Sequence, residues 1–354
     1  MMARRVDSDG SGTVRESAGR LCEEYDVAIL DLDGVVYIGP EAVEGAASDL
    51  EQAAAAGMRL AYVTNNASRP PAAVAAHLRE LGIAVEDEDV VTSAQAAARL
   101  VAEQVPAGST VYVIGGDGLF EALAEHDLAV VQSIPADGEP DPAAVVSGYA
   151  PDLRWRTVID GAILVRRGLP WVASNTDMTV PTPHGPGPGN GVLVGAVARY
   201  ADRDPIVAGK PQQPLFEETL RRVGGKHPLV VGDRLDTDIE GANNASLDSL
   251  LVMTGVTGLA ELVGAAPEVR PTYLSAGLDG LLIAHAVPTC DDDGDMDRCG
   301  HRLGGWQAEV DGDSLVVTGD GSRDDWWRVV AATAWSYLDV QGGPVEVTSL
   351  AVPE

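Results

Sequence analysis

Strand-like and helix-like segments alternate along this chain from Val27 to about His285, and this alternation is what most constrains the fold. Short apolar runs bounded by turn residues are typical of buried strands in parallel sheets. The predicted strands are Val27–Leu32, Leu60–Val63, Val111–Ile114, Ala144–Ser147, Trp171–Ala173, Ile206–Ala208, Leu229–Val231 and Ser249–Met253. The predicted helices include Ala42–Ala56, Pro71–Leu81, Ser93–Gln104, Trp155–Arg166, Val192–Tyr200, Pro214–Val223 and Thr237–Ala245. The pattern predicts an α/β fold whose parallel sheet has right-handed crossovers.

The length of 354 residues predicts more than one domain, because single cores rarely grow so large. A core over residues 25–90 and 190–287 is predicted to be interrupted by an inserted α/β domain over residues 91–189, which ends in a Pro/Gly-rich loop. Residues 1–24 are polar and are predicted to form a disordered tail.

The character of the chain changes after Pro288. An acidic linker is predicted over residues 288–302, and a small α+β domain over residues 303–354. Within that domain the pattern predicts a hairpin of Trp306–Val310 and Ser314–Val317, a helix Asp325–Leu338 and a final strand near Val345–Ser349. Its tryptophans are interpreted as core residues rather than as a ligand site.

The composition excludes several partners. The formal net charge is −30, and the only lysines are Lys210 and Lys226. Nucleic acids and anionic membrane surfaces need a basic face, so neither is expected as a partner. No segment resembles a signal peptide or is apolar enough to span a bilayer, and three cysteines imply no disulfide framework. A soluble, cytoplasmic protein is expected.

Polar side chains lie at the carboxyl ends of four of the predicted strands. They are Asp31 and Asp33 before Gly34, Thr64-Asn65-Asn66 after Leu60–Val63, Lys210 after Ile206–Ala208, and Asp233 with Asp238 after Leu229–Val231. Ligands of open α/β sheets bind outside the carboxyl ends of the strands, so these side chains are expected to meet at one site. Carboxylates there cost free energy unless a cation or a reaction uses them. The set suits phosphoryl transfer with magnesium.

Structural roles are the alternatives for these residues. Thr64 and Asn65 could cap the helix that follows them, as such residues often do. Asp233 and Asp238 could be acids that the dipole of a helix N-terminus favours. Arg69 and Arg234 are as compatible with surface salt bridges as with a site.

In order and wording, the four motifs resemble those of the haloacid dehalogenase (HAD) superfamily phosphatases, class IIA, the NagD-like or nitrophenyl-phosphatase-like subgroup. The resemblance covers about Tyr25 to Val287. It implies a Rossmann-like parallel-sheet core with a C2-type α/β cap inserted between the second and third motifs. It also implies a magnesium-dependent phosphomonoesterase that forms an aspartyl-phosphate, and a homodimer through the cap is common in the subgroup.

Catalytic roles follow from the resemblance. Asp31 would be the nucleophile, and Asp33 the general acid and then the general base. Thr64 and Asn65 would hold the phosphoryl oxygens, and Lys210 would neutralise the charge that Asp31 and the phosphate share. The presence of Asp33 favours a hydrolase, because the family's phosphatases need it to protonate the leaving alcohol.

Metal and substrate residues are implied in the same way. Asp31, the backbone carbonyl of Asp33 and Asp233 would bind Mg²⁺, and Asp238 would act through water or an indirect contact. The expected substrate-binding residues are Gly34, Asn66, Arg69, Asn175, Asp177 and Arg234.

The substrate expected from the resemblance is a small phosphorylated metabolite. The motif around Thr64–Arg69 and the C-terminal domain, which looks like a truncated acetyltransferase-type fold, resemble actinobacterial glycerol-3-phosphate phosphatases. Phosphoglycolate and other sugar or aryl phosphates are the alternatives, because the motifs are shared. A non-catalytic sensor that acts through the C-terminal domain is the alternative of another class.

Overall fold

In a computed structural model the chain folds into two units. The first is formed by the residues up to Leu60 and from Gly225 onwards, and the second by Ala61–Gly224. The structure describes residues 14–135, 140–180, 182, 184–290 and 300–353. The acidic run 291–297 and most of the predicted tail therefore lie outside the described residues.

The α-helices, numbered in chain order, are α1 Leu21–Glu24, α2 Ala46–Ala55, α3 Pro71–Glu80, α4 Ser93–Ala102, α5 Asp117–Ala124, α6 Trp155–Arg166, α7 Asn190–Ala201, α8 Pro214–Val223, α9 Glu240–Asn244, α10 Leu259–Val263 and α11 Arg323–Gln341. The strands are β1 Val27–Leu30, β2 Tyr37–Ile38, β3 Glu41–Ala42, β4 Arg59–Thr64, β5 Val90–Thr92, β6 Thr110–Ile114, β7 Ala129–Val131, β8 Ala144–Ser147, β9 Trp171–Ala173, β10 Thr179–Val180, β11 Gly187–Pro188, β12 Ile206–Val207, β13 Pro228–Gly232, β14 Asp248–Val252, β15 Tyr273–Ser275, β16 Thr289–Cys290, β17 His301–Leu303, β18 Trp306–Asp311 and β19 Ser314–Gly319. All eight predicted strands are confirmed, with each end within two residues of its predicted position.

A parallel sheet in the order β15-β14-β13-β1 organises the first unit. All four residues of β1 are buried, as are the last four of β13 and of β14, because the sheet lies between other layers. The register pairs Leu30 with Val231, so the carboxyl ends of β1 and β13 lie side by side. The predicted α/β class is confirmed.

The second unit contains a parallel sheet in the order β12-β9-β8-β6-β7. Helices α6 and α7 pack together, and their apolar faces enclose one core with Tyr112, Ile114 and Trp171. In the same unit β4 pairs with β5 in parallel, and Thr64 lies opposite Thr92. The boundaries predicted for an inserted domain stay a prediction.

An antiparallel sheet β16-β17-β18-β19 and the helix α11 form the C-terminal part. The predicted hairpin is confirmed as β18–β19 and the predicted helix as α11. Near Val345–Ser349 the structure has only an isolated bridge between Ser314 and Glu346, so the predicted final strand is wrong. One apolar cluster joins Trp335 of α11 to Leu251 and Leu274 of the parallel sheet.

The N-terminal segment corrects a second expectation. Residues 14–24 are not a disordered tail, because Arg15 N–H donates to the Thr272 carbonyl at 2.9 Å and Ser17 N–H donates to the His285 carbonyl at 2.9 Å. Val14 and Leu21 are buried. The partners lie more than 250 residues away, where a local pattern carries no signal. No helix within the described ranges has the length and apolar character that crossing a bilayer requires.

Candidate active site

Asp31 and Asp33 lie where β1 ends, as the pattern predicts. The Asp31 N–H donates to the Val231 carbonyl at 2.8 Å, which continues the β1–β13 ladder by one residue. A turn follows, in which Gly34 has a φ of +85° and donates its N–H to the Tyr37 carbonyl at 2.8 Å. Only glycine adopts this φ without strain. The Asp31 side chain is partly buried and that of Asp33 is exposed.

Asp233 directly follows β13, and Asp238 lies in the turn of π-helix over Leu235–Ile239 that comes next. Their side chains are 0% and 1% exposed. Asp233 Oδ2 accepts a hydrogen bond from Val256 N–H at 2.6 Å, and Asp238 Oδ2 accepts one from Arg234 N–H at 3.1 Å. Main-chain donors therefore orient both carboxylates.

Asp31, Asp233 and Asp238 form a three-carboxylate cluster. Each offers an oxygen that lies within 4.8 Å of the oxygens of the other two. Three negative charges this close, two of them buried, repel one another strongly unless a cation lies between them. Hard oxygen donors in this number are what Mg²⁺ and Ca²⁺ bind in proteins. The donor set thus fits a divalent cation.

Glycines give the cluster its space. A Cβ at Gly34 would lie 2.5 Å from Asp233 Oδ2, and Cβ atoms at Gly255 and Gly232 would overlap Asp233 and Asp238. The loop after β14 was not singled out from the sequence, yet it supplies both Gly255 and the Val256 donor. The signal was available: this loop also follows an apolar strand, as the Asp31 and Asp233 motifs do.

A second group lies in the second unit, where Thr64, Asn65 and Lys210 are all buried. Thr64 Oγ1 accepts from the Asn66 N–H at 3.0 Å and so supports the turn after β4. The Asn65 amide is hydrogen-bonded to the main chain of Lys210 and to Asp177. Ser93 Oγ donates to the Asn65 carbonyl at 2.5 Å, a contact that the sequence analysis missed.

The predicted substrate-binding residues differ in their surroundings. Asn175 is buried, donates to the Asn65 carbonyl at 2.6 Å and accepts from Asp177 N–H at 3.1 Å. Asn66 Oδ1 accepts from both the N–H and the hydroxyl of Ser68, at 2.9 and 2.6 Å. Arg69 is exposed.

Arg234 forms a two-point ion pair with Asp236, at 3.0 and 2.8 Å. The surface salt bridge considered as its alternative role is thus present. Its role in substrate binding stays a prediction, as do the roles of Gly34, Asn66 and Arg69.

Comparison with known proteins assigns the class. Residues 28–129 match the haloacid dehalogenase-like hydrolase family and residues 207–281 match a HAD-hydrolase-like family. The sequence is 41% identical over 310 residues to D-glycerol 3-phosphate phosphatase of Mycobacterium tuberculosis, covering 86% of this chain and 82% of that protein. The chain belongs to the haloacid dehalogenase-like hydrolases.

Three further proteins are similar to this chain. A crystal structure of glycerol phosphate phosphatase from Mycobacterium tuberculosis in complex with magnesium superposes with a TM-score of 0.77 at 40% identity, over 89% of this chain and 92% of that one. The acid sugar phosphatase of Staphylococcus aureus is 33% identical over 71% of this chain and 94% of its own length. A 4-nitrophenylphosphatase from Thermotoga maritima matches with a TM-score of 0.67 at 27% identity, over 74% of this chain and 97% of that one.

Proposed function

We propose that this protein is a magnesium-dependent phosphomonoesterase that hydrolyses a small phosphorylated metabolite through an aspartyl-phosphate. The cluster of Asp31, Asp233 and Asp238 carries the proposal, because three converging carboxylates require a cation and phosphate esters are its partners in such sites. Family membership and the magnesium complex of a relative support it.

Asp31 and Asp33 would perform the covalent chemistry. A carboxylate oxygen of Asp31 attacks phosphorus, the ester P–O bond breaks, and Asp33 gives its proton to the leaving alcohol oxygen. Asp33 then takes a proton from water as that water attacks phosphorus, which releases inorganic phosphate and restores the Asp31 carboxylate. Asp33 is exposed, as exchange of protons with an alcohol and then with water requires.

The remaining side chains would supply electrostatic stabilisation. Bound Mg²⁺ would be held by Asp31 and Asp233, with Asp238 beside them, and would offset negative charge on the phosphoryl group. The Thr64 hydroxyl and the Lys210 ammonium are proposed to meet the phosphoryl oxygens. A buried ammonium is more effective there than one in water, because the effective dielectric constant is lower.

Replacing the nucleophile tests the function. Asp31→Asn is expected to lower kcat for 4-nitrophenyl phosphate by a factor of about 10⁴ or more, since an amide cannot attack phosphorus. Asp236→Asn, which changes an exposed carboxylate nearby, is the matched control and should keep wild-type turnover. Undiminished activity of a folded Asp31→Asn protein would refute the nucleophile assignment.

Glycerol 3-phosphate is the proposed substrate, because the relative that aligns over 86% of this chain is named for it. Phosphoglycolate and sugar phosphates are the competing substrates. Comparing kcat/KM for the three tests the proposal, and a clear preference for either competitor would contradict it.

The net charge of the chain supports a proposal about its compartment and its partners. A net charge of −30 repels nucleic acids and anionic membranes, so we propose a cytoplasmic enzyme without either partner. A homodimer is proposed from the family resemblance, and light scattering of the purified protein decides it.

A further inference from the structure

The Asn65 side chain is fully engaged by protein groups. Its Oδ1 accepts from the Lys210 N–H at 2.8 Å, and its Nδ2 donates to the Lys210 carbonyl at 3.0 Å. The same Nδ2 donates to Asp177 Oδ1 at 3.0 Å. A carboxamide nitrogen carries two hydrogens, so both donors of Asn65 are used.

The orientation of this amide is decided by its partners. A main-chain N–H can only donate and a carbonyl can only accept, so a flipped Asn65 would face Lys210 with donor against donor and acceptor against acceptor. Asn65 therefore pairs with both main-chain groups of Lys210 at once. It cannot donate to a phosphoryl oxygen without giving up one of these bonds.

A buried network holds Asn65 and Asp177 in place. The Asn65 carbonyl accepts from Ser93 Oγ at 2.5 Å and from Asn175 Nδ2 at 2.6 Å. Asn175 Oδ1 accepts from Asp177 N–H at 3.1 Å, and the Asn175 carbonyl accepts from Asn190 Nδ2 at 2.7 Å. Ser93, Asn175 and Asn190 are each at most 3% exposed. Satisfied buried networks of this kind are rigid.

The chain approaches Asn65 so closely that the residue before Lys210 must be glycine. A Cβ at Gly209 would lie 2.5 Å from Asn65 Oδ1 and 2.6 Å from the Ser174 carbonyl. The loop that carries Lys210 therefore packs directly against the Asn65 amide.

We propose that Asn65 and Asp177 are positioning residues that act through Lys210, not ligands of the phosphate or the substrate. The inference rests on the proposed function. A lysine side chain has four flexible carbons, so its ammonium is placed reproducibly only if its main chain is fixed. Asn65 fixes that main chain, Asp177 holds the Asn65 amide, and a charge placed in advance stabilises a transition state best.

A double-mutant cycle tests the proposal. Asp177→Ala is expected to lower kcat about 10- to 100-fold with a smaller change in KM, since misplacing a catalytic charge acts on the transition state. In a Lys210→Met background, Asp177→Ala should lower kcat by less than about threefold, because the ammonium group that Asp177 helps to position is no longer there. Asp177→Asn keeps an Oδ1 acceptor for Asn65 and should recover kcat to within about threefold of wild type.

Controls separate positioning from loss of stability. Tyr112→Phe removes a hydroxyl that lies 3.0 and 3.1 Å from the Thr157 and Gln132 carbonyls in the same unit, and it should leave kcat unchanged. Asn65→Ala repeats the cycle from the other partner if Asp177→Ala does not fold. Calorimetric binding of orthovanadate with Mg²⁺ to the same variants gives a readout that needs no turnover, and Asp177→Ala should weaken it only when Lys210 is present.

The outcomes are distinct. Equal losses from Asp177→Ala with and without Lys210, or an Asp177→Asn protein as impaired as Asp177→Ala, would overturn the positioning role while the phosphatase stands. A wild-type protein that neither hydrolyses phosphate esters nor binds orthovanadate would overturn both proposals.

Discussion

Gly255 shows how a residue without a side chain can shape the three-carboxylate cluster. A Cβ at this position would overlap the Asp233 carboxylate, and its φ lies outside the left-handed region, so substitution adds volume without backbone strain. Gly34 is less suitable as a probe, because its φ of +85° would add strain to the same collision.

Gly255→Ala is therefore expected to weaken Mg²⁺ binding, because the added Cβ would displace Asp233 from its position in the three-carboxylate cluster. We expect a rise of about tenfold or more in the Mg²⁺ concentration for half-maximal activity, and a parallel loss in calorimetry. Gly195→Ala is the control, since nothing lies within 4 Å of a Cβ there. Unchanged Mg²⁺ affinity in a folded Gly255→Ala protein would contradict the assignment of Asp233 as a ligand.

His285 is a second residue whose surroundings predict a measurable effect. Its Nε2 lies 2.8 Å from the Gly280 carbonyl, to which it can only donate, so Nδ1 accepts from Arg328 at 3.0 Å. Burial and then the charge of Arg328 lower the pKa of His285 to about 4, although Gly280 and Asp324 act in the opposite direction. The folded protein therefore holds this histidine neutral.

Stability is expected to fall in acid for this reason. The unfolded chain binds a proton near pH 6.5 and the folded one only near pH 4, so the contribution of His285 is complete above 6.5 and is lost as the pH falls between these values. At pH 4 the free energy of unfolding is expected to be about 3 kcal/mol lower for this reason than above pH 6.5. Urea titrations at several pH values measure it, and His285→Gln, which cannot titrate, should have a shallower slope over this range.

At the scale of elements, an ion network joins α4, α5 and α8. Glu218 of α8 is fully buried and accepts hydrogen bonds from Arg221 and Arg222, while Arg99 of α4 lies 3.2 Å from it. Burial raises the pKa of Glu218, but the two arginines outweigh it and hold this pKa below its usual value. Arg222 also forms an ion pair with Glu125, just beyond the end of α5, at 2.6 Å.

Removing the central charge should loosen these helices. Glu218→Gln is expected to destabilise the protein by about 2 kcal/mol, since it removes the charge of a fully buried carboxylate that arginine side chains surround. Glu217 is an exposed partner of Arg99 and lies on α8 beside Glu218. Glu217→Gln should therefore lower the free energy of unfolding by less than about 0.5 kcal/mol. Equal effects of the two substitutions on urea midpoints would show that burial of Glu218 is unimportant.

At the largest scale, the C-terminal part shares the core of the first unit. Trp335 of α11 is fully buried and donates its Nε1–H to the Leu262 carbonyl at 2.7 Å. Arg270 forms a two-point ion pair with Asp339 of α11, at 2.7 and 2.6 Å. An appended domain with a core of its own would not need these contacts.

Trp335→Ala should consequently destabilise the whole first unit rather than its C-terminal part alone. We expect a loss of about 3–5 kcal/mol, with loss of phosphatase activity and of α11 helicity at the same denaturant concentration. Val340→Ala, at an exposed position of the same helix, is the control. A separate early transition that spares activity would show instead that the C-terminal part folds independently.

The sequence by itself determined the strands, the acidic and basic residues at their ends, and the family. Each of these depends on a window of a few residues: Val27–Leu30 is apolar because both faces of β1 are buried, and Asp31 and Asp33 stand out because they follow it. Four such motifs in a fixed order identify the class without any knowledge of their spacing in three dimensions.

The tertiary structure alone decided which side chains are used by other parts of the protein. The family resemblance implies that Asn65 holds the phosphate, but its amide is hydrogen-bonded to Lys210, which lies 145 residues away. The ordered segment from Val14 and the core shared by Trp335 also depend on partners that are far away in the sequence. The physical reason is the same in each case: periodicity records whether a residue is buried, whereas a hydrogen bond or a packing contact depends on which distant group meets it.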